Sequence, residues 1–152
     1  MIRIMGRETS TYSIPEWVEI RKIITRADYK AFCRIYLDAF GHTFRRRFFL
    51  FLMARERSYV WLYKGEYIGI FTVSEQEELR VTPNVLFCVL YNFALVSNMR
   101  GKGFSRVLLA SAITEASRLG CKEILLKVNT NNATALKLYE KTNFKFMDDK
   151  IN

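Results

Sequence analysis

The sequence has little of what interrupts a folded chain. There are 2 prolines and 7 glycines in 152 residues and no low-complexity tract, so disorder is excluded for most of its length. One histidine, His42, leaves no basis for histidine-based metal chemistry, and no metal is expected. The 3 cysteines, Cys33, Cys88 and Cys121, are odd in number, far apart and lack C-x-x-C spacing. That fits neither a disulfide framework nor a zinc site. Cys33 and Cys88 sit among apolar residues and are expected in the core, in keeping with a reducing cytoplasm. The most apolar short run, residues 48–53, is far too short to cross a bilayer. The first residues, with Arg3, Arg7 and Glu8, carry no secretory-leader pattern, so a cytoplasmic protein without a membrane partner is expected.

What is present is apolar and basic. Half of the residues are hydrophobic, enough for one domain over residues 1–152 with a real core. The formal net charge of +9 favours anionic partners. Part of the excess is the triplet Arg45, Arg46, Arg47, followed by Arg55 and Arg57, which alone reads as a solvated basic face. Residues 1–15, up to Pro15, lack clear periodicity and read as a loose arm.

Alternation over residues 18–24 predicts a first strand. Thr25 and Asp28 form a capping-box pattern, and Tyr29, Phe32, Cys33 and Tyr36 follow at helical spacing to about Phe40, with Gly41 as the stop. Thr43 opens a second predicted helix through Glu56. Residues 58–63 and 66–73 predict a hairpin turning at Lys64-Gly65. A polar loop over 74–84 leads to a long apolar strand over 85–96, whose continuous hydrophobicity implies cover on both faces. A helix over 103–119, a strand over 121–129, a helix over 132–141 and a short strand over 144–147 complete an α/β domain with a mixed sheet.

Between the long strand and the helix after it stands Arg100-Gly101-Lys102-Gly103-Phe104-Ser105-Arg106. The first amides of a helix have no internal partner, and with the helix dipole they attract an anion. Gly101 and Gly103 clear side chains from such an anion, and Arg100 and Lys102 add charge. The turn fits neither GxxxxGK[ST] nor GxGxxG. A tight turn with solvated cations is the plain alternative.

The same stretch resembles the R/Q-x-x-G-x-G/A signature of the GCN5-related N-acetyltransferase (GNAT) family. A second stretch, NTNNATALKLYEKTNFKF, resembles that family's N-x-x-A-x-x-L-Y-E-K-x-G-F motif through Asn132, Ala135, Leu138, Tyr139, Glu140, Lys141 and Phe144. The likeness covers residues 18–147 and implies a single-domain GNAT-like fold, with a mixed, mostly antiparallel twisted sheet flanked by helices. It implies acetyl-coenzyme A as co-substrate and an amine of a small molecule or protein as acceptor. By position, Phe93, Leu95 and Val96 match the strand end that pairs with the pantetheine arm. The amides from Gly101 through Lys102, Gly103, Phe104 and Ser105 to Arg106 match the pyrophosphate cradle. Asn132 matches the contact to pantetheine or its neighbouring turn. Tyr139 matches the acid that protonates the departing thiolate.

Three departures stand out. Ser105 replaces the usual Gly or Ala, and Asn143 replaces the Gly before Phe144; both are tolerable, the second because Asn accepts a left-handed backbone. The third is that little sequence follows Phe146, so the family's further strand is missing, very short, or supplied by another chain, which leaves a homodimer open; the N-terminal arm is an alternative occupant. The strand over 85–96 also carries no carboxylate for a general base, and Glu75, Glu77 or Glu78 could relay through water. Two other readings compete. One is a coenzyme-binding domain without catalysis. The other is an RNA- or ribosome-associated module, suggested by the charge and by KGFSRVLL over 102–109. That octamer has Arg106 and Leu109 where RNA-stacking aromatics belong, and its apolar period is helical, so nucleic acid is not the expected partner.

Overall fold

A computed structural model describes residues 1–41, 57–76 and 86–147. Its elements are β1 (Ile2–Glu8), β2 (Val18–Lys22), α1 (Arg26–Phe40), β3 (Arg57–Tyr63), β4 (Glu66–Gln76), β5 (Phe87–Leu95), α2 (Phe104–Arg118), β6 (Glu123–Asn129), α3 (Ala133–Lys141) and β7 (Lys145–Phe146). The strands form one sheet in the order β2-β3-β4-β5-β6-β1-β7. Every pairing is antiparallel except β5 with β6. The helix expected over 43–56 lies outside the described residues.

The loose arm expected over residues 1–15 is not what the fold contains. All seven residues of β1 pair with β6, and Met5 and Gly6 also pair with β7. Met5 is fully buried in the main core. The chain beyond β1 is tied down as well: the Thr9 amide donates to Lys122 O at 2.9 Å, and the Tyr12 amide to Thr114 Oγ1 at 3.0 Å. Gly6 is closely packed: a Cβ there would stand 2.6 Å from Leu125 Cδ2, so that side chain would have to shift. The arm therefore pairs with the last described strand, as the family's further strand was expected to do.

Local chemistry explains α1 as the sequence reading anticipates. Thr25 Oγ1 accepts from the Asp28 amide, and Asp28 Oδ2 accepts from the Thr25 amide, closing the capping box. Gly41 ends the helix at φ 76°. Asp28 is fully buried, yet Arg21 Nη2 reaches its Oδ1 at 2.8 Å and the Tyr67 hydroxyl donates to the same oxygen at 2.7 Å. Burial alone would raise this carboxyl. The hydrogen bonds from Arg21, Tyr67 and the amides of Thr25 and Ile24 outweigh it and hold the group well below the usual carboxylate range. β2, α1 and β4 are thereby joined at one buried charge.

Two apolar clusters cover the sheet. The larger gathers Trp61, Phe71, Leu90, Leu108, Leu109, Ile113 and Ile124 with α2; the smaller gathers Phe32, Ile35, Val60 and Ile70 with α1. Cys88 and Cys121 both enter the larger cluster, but they are not unpaired core residues. They form a disulfide across 33 residues with Cα atoms 5.9 Å apart, a normal span. The parallel pairing of β5 and β6 brings them together: Cys88 faces Ile124, three residues beyond Cys121. Only Cys33 is free. The cysteine argument for a reducing compartment is thereby lost.

Candidate active site

The sheet opens where β5 and β6 part. Their register runs Phe87 to Glu123, Cys88 to Ile124 and Val89 to Leu125, and stops. β5 continues to Leu95 with β4 on one side, so the other backbone edge of its second half has no strand partner among the described residues. Within that half lies a bulge. Ile70 faces Ala94 and Thr72 faces Tyr91, so Asn92 and Phe93 stand opposite Phe71 alone. Asn92 takes φ 56°, and its Nδ2 donates to Thr72 Oγ1 at 3.1 Å. Bulges of this kind re-aim side chains beside functional sites.

A cleft of about 660 Å³ fills the gap. It brings together Phe93 and Leu95 from β5, Arg100, Gly101, Gly103, Ser105 and Arg106 from the basic turn, and Asn132 and Tyr139 from around α3. Three residues singled out from the sequence do not line it. Val96 and Phe104 pack against the larger cluster, Phe104 ring-to-ring with Tyr63 at 5.4 Å, and Lys102 is exposed. For Val96 and Phe104 only the backbone is left to serve a ligand there.

The turn is shaped for close approach. Gly101 and Gly103 adopt φ 76° and 83°, which L side chains resist, and a Cβ at either would meet nothing within 4 Å. Gly103 is the N-cap of α2, no side chain caps that end, and no acid stands in its first turn. The orphan amides are left for an anion. Arg100 lines the cleft and also has a partner within the chain. Its Nη2 and Nε donate to Leu95 O at 3.0 and 3.2 Å, so the side chain ties the turn to the end of β5.

On the opposite wall, Asn132 Oδ1 accepts the Ala135 amide at 3.1 Å and caps α3. Asn143 takes φ 69°, the left-handed state inferred for it, and the Phe144 amide returns to Tyr139 O at 2.9 Å. Tyr139 is partly buried with its ring edge-on to Phe144 at 5.8 Å. Burial pushes its phenol pKa upward, so it holds its proton at neutral pH. Sequence reading missed Phe40 of α1 and Thr134, Lys137 and Lys141 of α3 in the cleft wall. The signal was present for α3: Thr134, Lys137, Leu138 and Lys141 recur at i, i+3, i+4 and i+7, one helix face.

A narrower pocket of about 390 Å³ continues past Tyr139. It shares Phe40, Phe93 and Tyr139 with the cleft and adds Val89, Leu90, Tyr91, Asn92, Leu126 and Lys127. Glu77 and Glu78 lie outside the described residues, as does the side chain of Glu75. Among the described residues no group of metal-ligating side chains occurs.

A mixed sheet parted between parallel strands, with an uncapped helix start facing the gap, is the architecture of the N-acetyltransferases that the motifs resemble. The chain belongs to the acetyltransferase (GNAT) family, whose model matches residues 17–144. Over 59 residues it is 39% identical to "Uncharacterized N-acetyltransferase YycN" of Bacillus subtilis (strain 168), a stretch that spans 39% of this chain and 38% of that protein. Two solved structures share the fold. A transcriptional regulator from Bacillus halodurans C-125 matches with TM-score 0.71 and 22% identity over 84% of this chain and 93% of its own. An IAA acetyltransferase from Bacillus cereus ATCC 14579 matches with TM-score 0.66 and 23% identity over 84% and 77%. No helix among the described residues is long and apolar enough to cross a membrane.

Proposed function

We propose that the protein transfers the acetyl group of acetyl-coenzyme A to an amine by direct attack. The observation that carries this reading is the opening of the sheet after Val89, which leaves β5 backbone, the uncapped start of α2 and Tyr139 around one cleft. The pantetheine arm pairs with the free edge of β5 near Phe93 and Leu95, as an added strand would. The pyrophosphate sits on the amides from Gly101 to Arg106, with Arg106 supplying charge. The amine lone pair bonds to the acetyl carbon, and backbone N–H groups at the bulge stabilise the charge on the carbonyl oxygen. The carbon–sulfur bond then breaks. Its electron pair leaves with sulfur, Tyr139 protonates the thiolate, and the nitrogen gives up its extra proton to water.

No carboxylate lines the inner pocket among the described residues. The amine is therefore expected to arrive uncharged. At subsaturating amine, the rate should rise about tenfold per pH unit until it levels near the amine's own pKa, about 8 to 10. A bell with a limb near pH 6 would reveal a protein base and contradict this. Tyr139→Phe tests the acid. It should lower kcat by at least about tenfold and leave coenzyme affinity nearly intact, because the phenol acts on charge that appears only at the leaving sulfur. Unaltered kcat, with chemistry limiting, removes Tyr139 from the mechanism. Coenzyme binding without thiol release from any amine would instead favour a silent binding domain.

A further inference from the structure

The inner pocket has a chemical character that no motif announces. Its lining residues are four aromatics, Phe40, Tyr91, Phe93 and Tyr139, three aliphatics, Val89, Leu90 and Leu126, and Asn92 and Lys127. Its only charged lining residue among those described is the cation Lys127.

These features exclude some acceptors and select others. A polyamine or an aminoglycoside presents several ammonium groups, and each needs an acceptor atom or an anion when it leaves water. The described walls offer no anion, and Lys127 repels cations. The net charge of +9 acts in the same direction over longer range. An apolar body suits the rings, and a negative group suits Lys127. A volume of about 390 Å³ holds a small molecule rather than a folded protein surface.

Resting on the acetyl-transfer reading above, we propose that the acceptor is a small amine with an aromatic or branched apolar body and one carboxylate, of the α-amino-acid class. Lys127 pairs with the carboxylate, and the amine points to the junction at Tyr139 and Phe93. The chemistry of the transfer is unchanged; the pocket decides which amine reaches it.

The test compares matched pairs in a thiol-release assay on the full chain with acetyl-coenzyme A: phenylalanine against 2-phenylethylamine, and leucine against 3-methylbutylamine. Each pair shares a body and differs by the carboxylate. Both should be assayed at the pH that gives equal fractions of free amine. Spermine and an aminoglycoside form a third arm. The carboxylate members should have the higher kcat/KM by about tenfold or more, with the polycations slower than either. In Lys127→Gln the preference within each pair should shrink about tenfold, mainly through KM. Preference for the decarboxylated amines or the polycations overturns the proposal, as does a Lys127→Gln variant that keeps the wild-type preference. Failure to use any of the amines overturns it too. A separate titration with acetyl-coenzyme A distinguishes the two levels: coenzyme bound with the wrong preference sinks only the acceptor class, whereas no coenzyme bound sinks the acetyl-transfer reading beneath it.

Discussion

At the residue scale, the account rests on a few backbone and charge positions. Gly103 combines φ 83° with the mouth of the cradle. Gly103→Val should cost about 1–2 kcal/mol of stability from backbone strain and weaken coenzyme affinity by more than tenfold. Equal affinity in a folded variant, read by calorimetry, would remove the cradle. Asp28 carries a different prediction. Its folded carboxyl sits well below the unfolded value near 3.9, so the stability it contributes is present above about pH 4 and is lost as pH falls below it. Denaturant midpoints should drop on acidification toward pH 3, and Asp28→Asn should be less stable at pH 7 and less acid-sensitive. An identical pH profile in the variant would show that the Arg21–Asp28–Tyr67 cluster is not a stability determinant. Many of these residues were legible because their signal is local. Asn143 needed only its place after a helix, and Thr25 with Asp28 needed only three residues of spacing. The hydrogen bonds from Arg100 to Leu95 O were not legible, because that partner lies across a turn whose path no propensity describes.

At the element scale, β1 is where sequence reasoning failed, and the cause is physical. Its alternation places Ile2 and Ile4 on a largely exposed face, while Met5 is flanked on the buried side by Arg3 and Arg7. Arg3 lies over the Phe146 ring at 3.8 Å, and Arg7 Nη1 donates to Thr142 O at 2.7 Å. Such a pattern reads as polar until the partners are known. Removing residues 1–9 should strip β6 of a seven-residue partner and empty the Met5 site. The truncated protein is expected to unfold at lower temperature and to aggregate through the bared β6 edge. A monomeric truncation with wild-type melting would contradict the role given to β1. The disulfide was equally invisible, since only the β5–β6 pairing brings Cys88 to Cys121. Closing a 33-residue loop, it should contribute on the order of 3–4 kcal/mol. Melting before and after reduction measures this. An unchanged Tm, with both thiols shown to be free after reduction, would mean that the link does not stabilise the fold.

At the scale of the whole molecule, the motifs over residues 100–146 carried the fold class, the cleft and most of its lining, because cradle and α3 motif lie on consecutive elements. The inner pocket was not legible. Its walls come from α1, the β5 bulge and β6, which are distant in sequence and share no spacing rule. The charge of +9 fits the same account, with Arg106, Lys137 and Lys141 around the cleft and Lys127 in the inner pocket. The central claim is that the parted sheet is a coenzyme site. Calorimetric titration of the purified protein with acetyl-coenzyme A, beside ATP and a short RNA, tests it most directly. The account predicts saturable one-to-one binding of the coenzyme, tighter than ATP and little competed by RNA. Absence of coenzyme binding, with RNA bound in a strongly salt-dependent way, would contradict it and make the positive charge an RNA-binding surface instead.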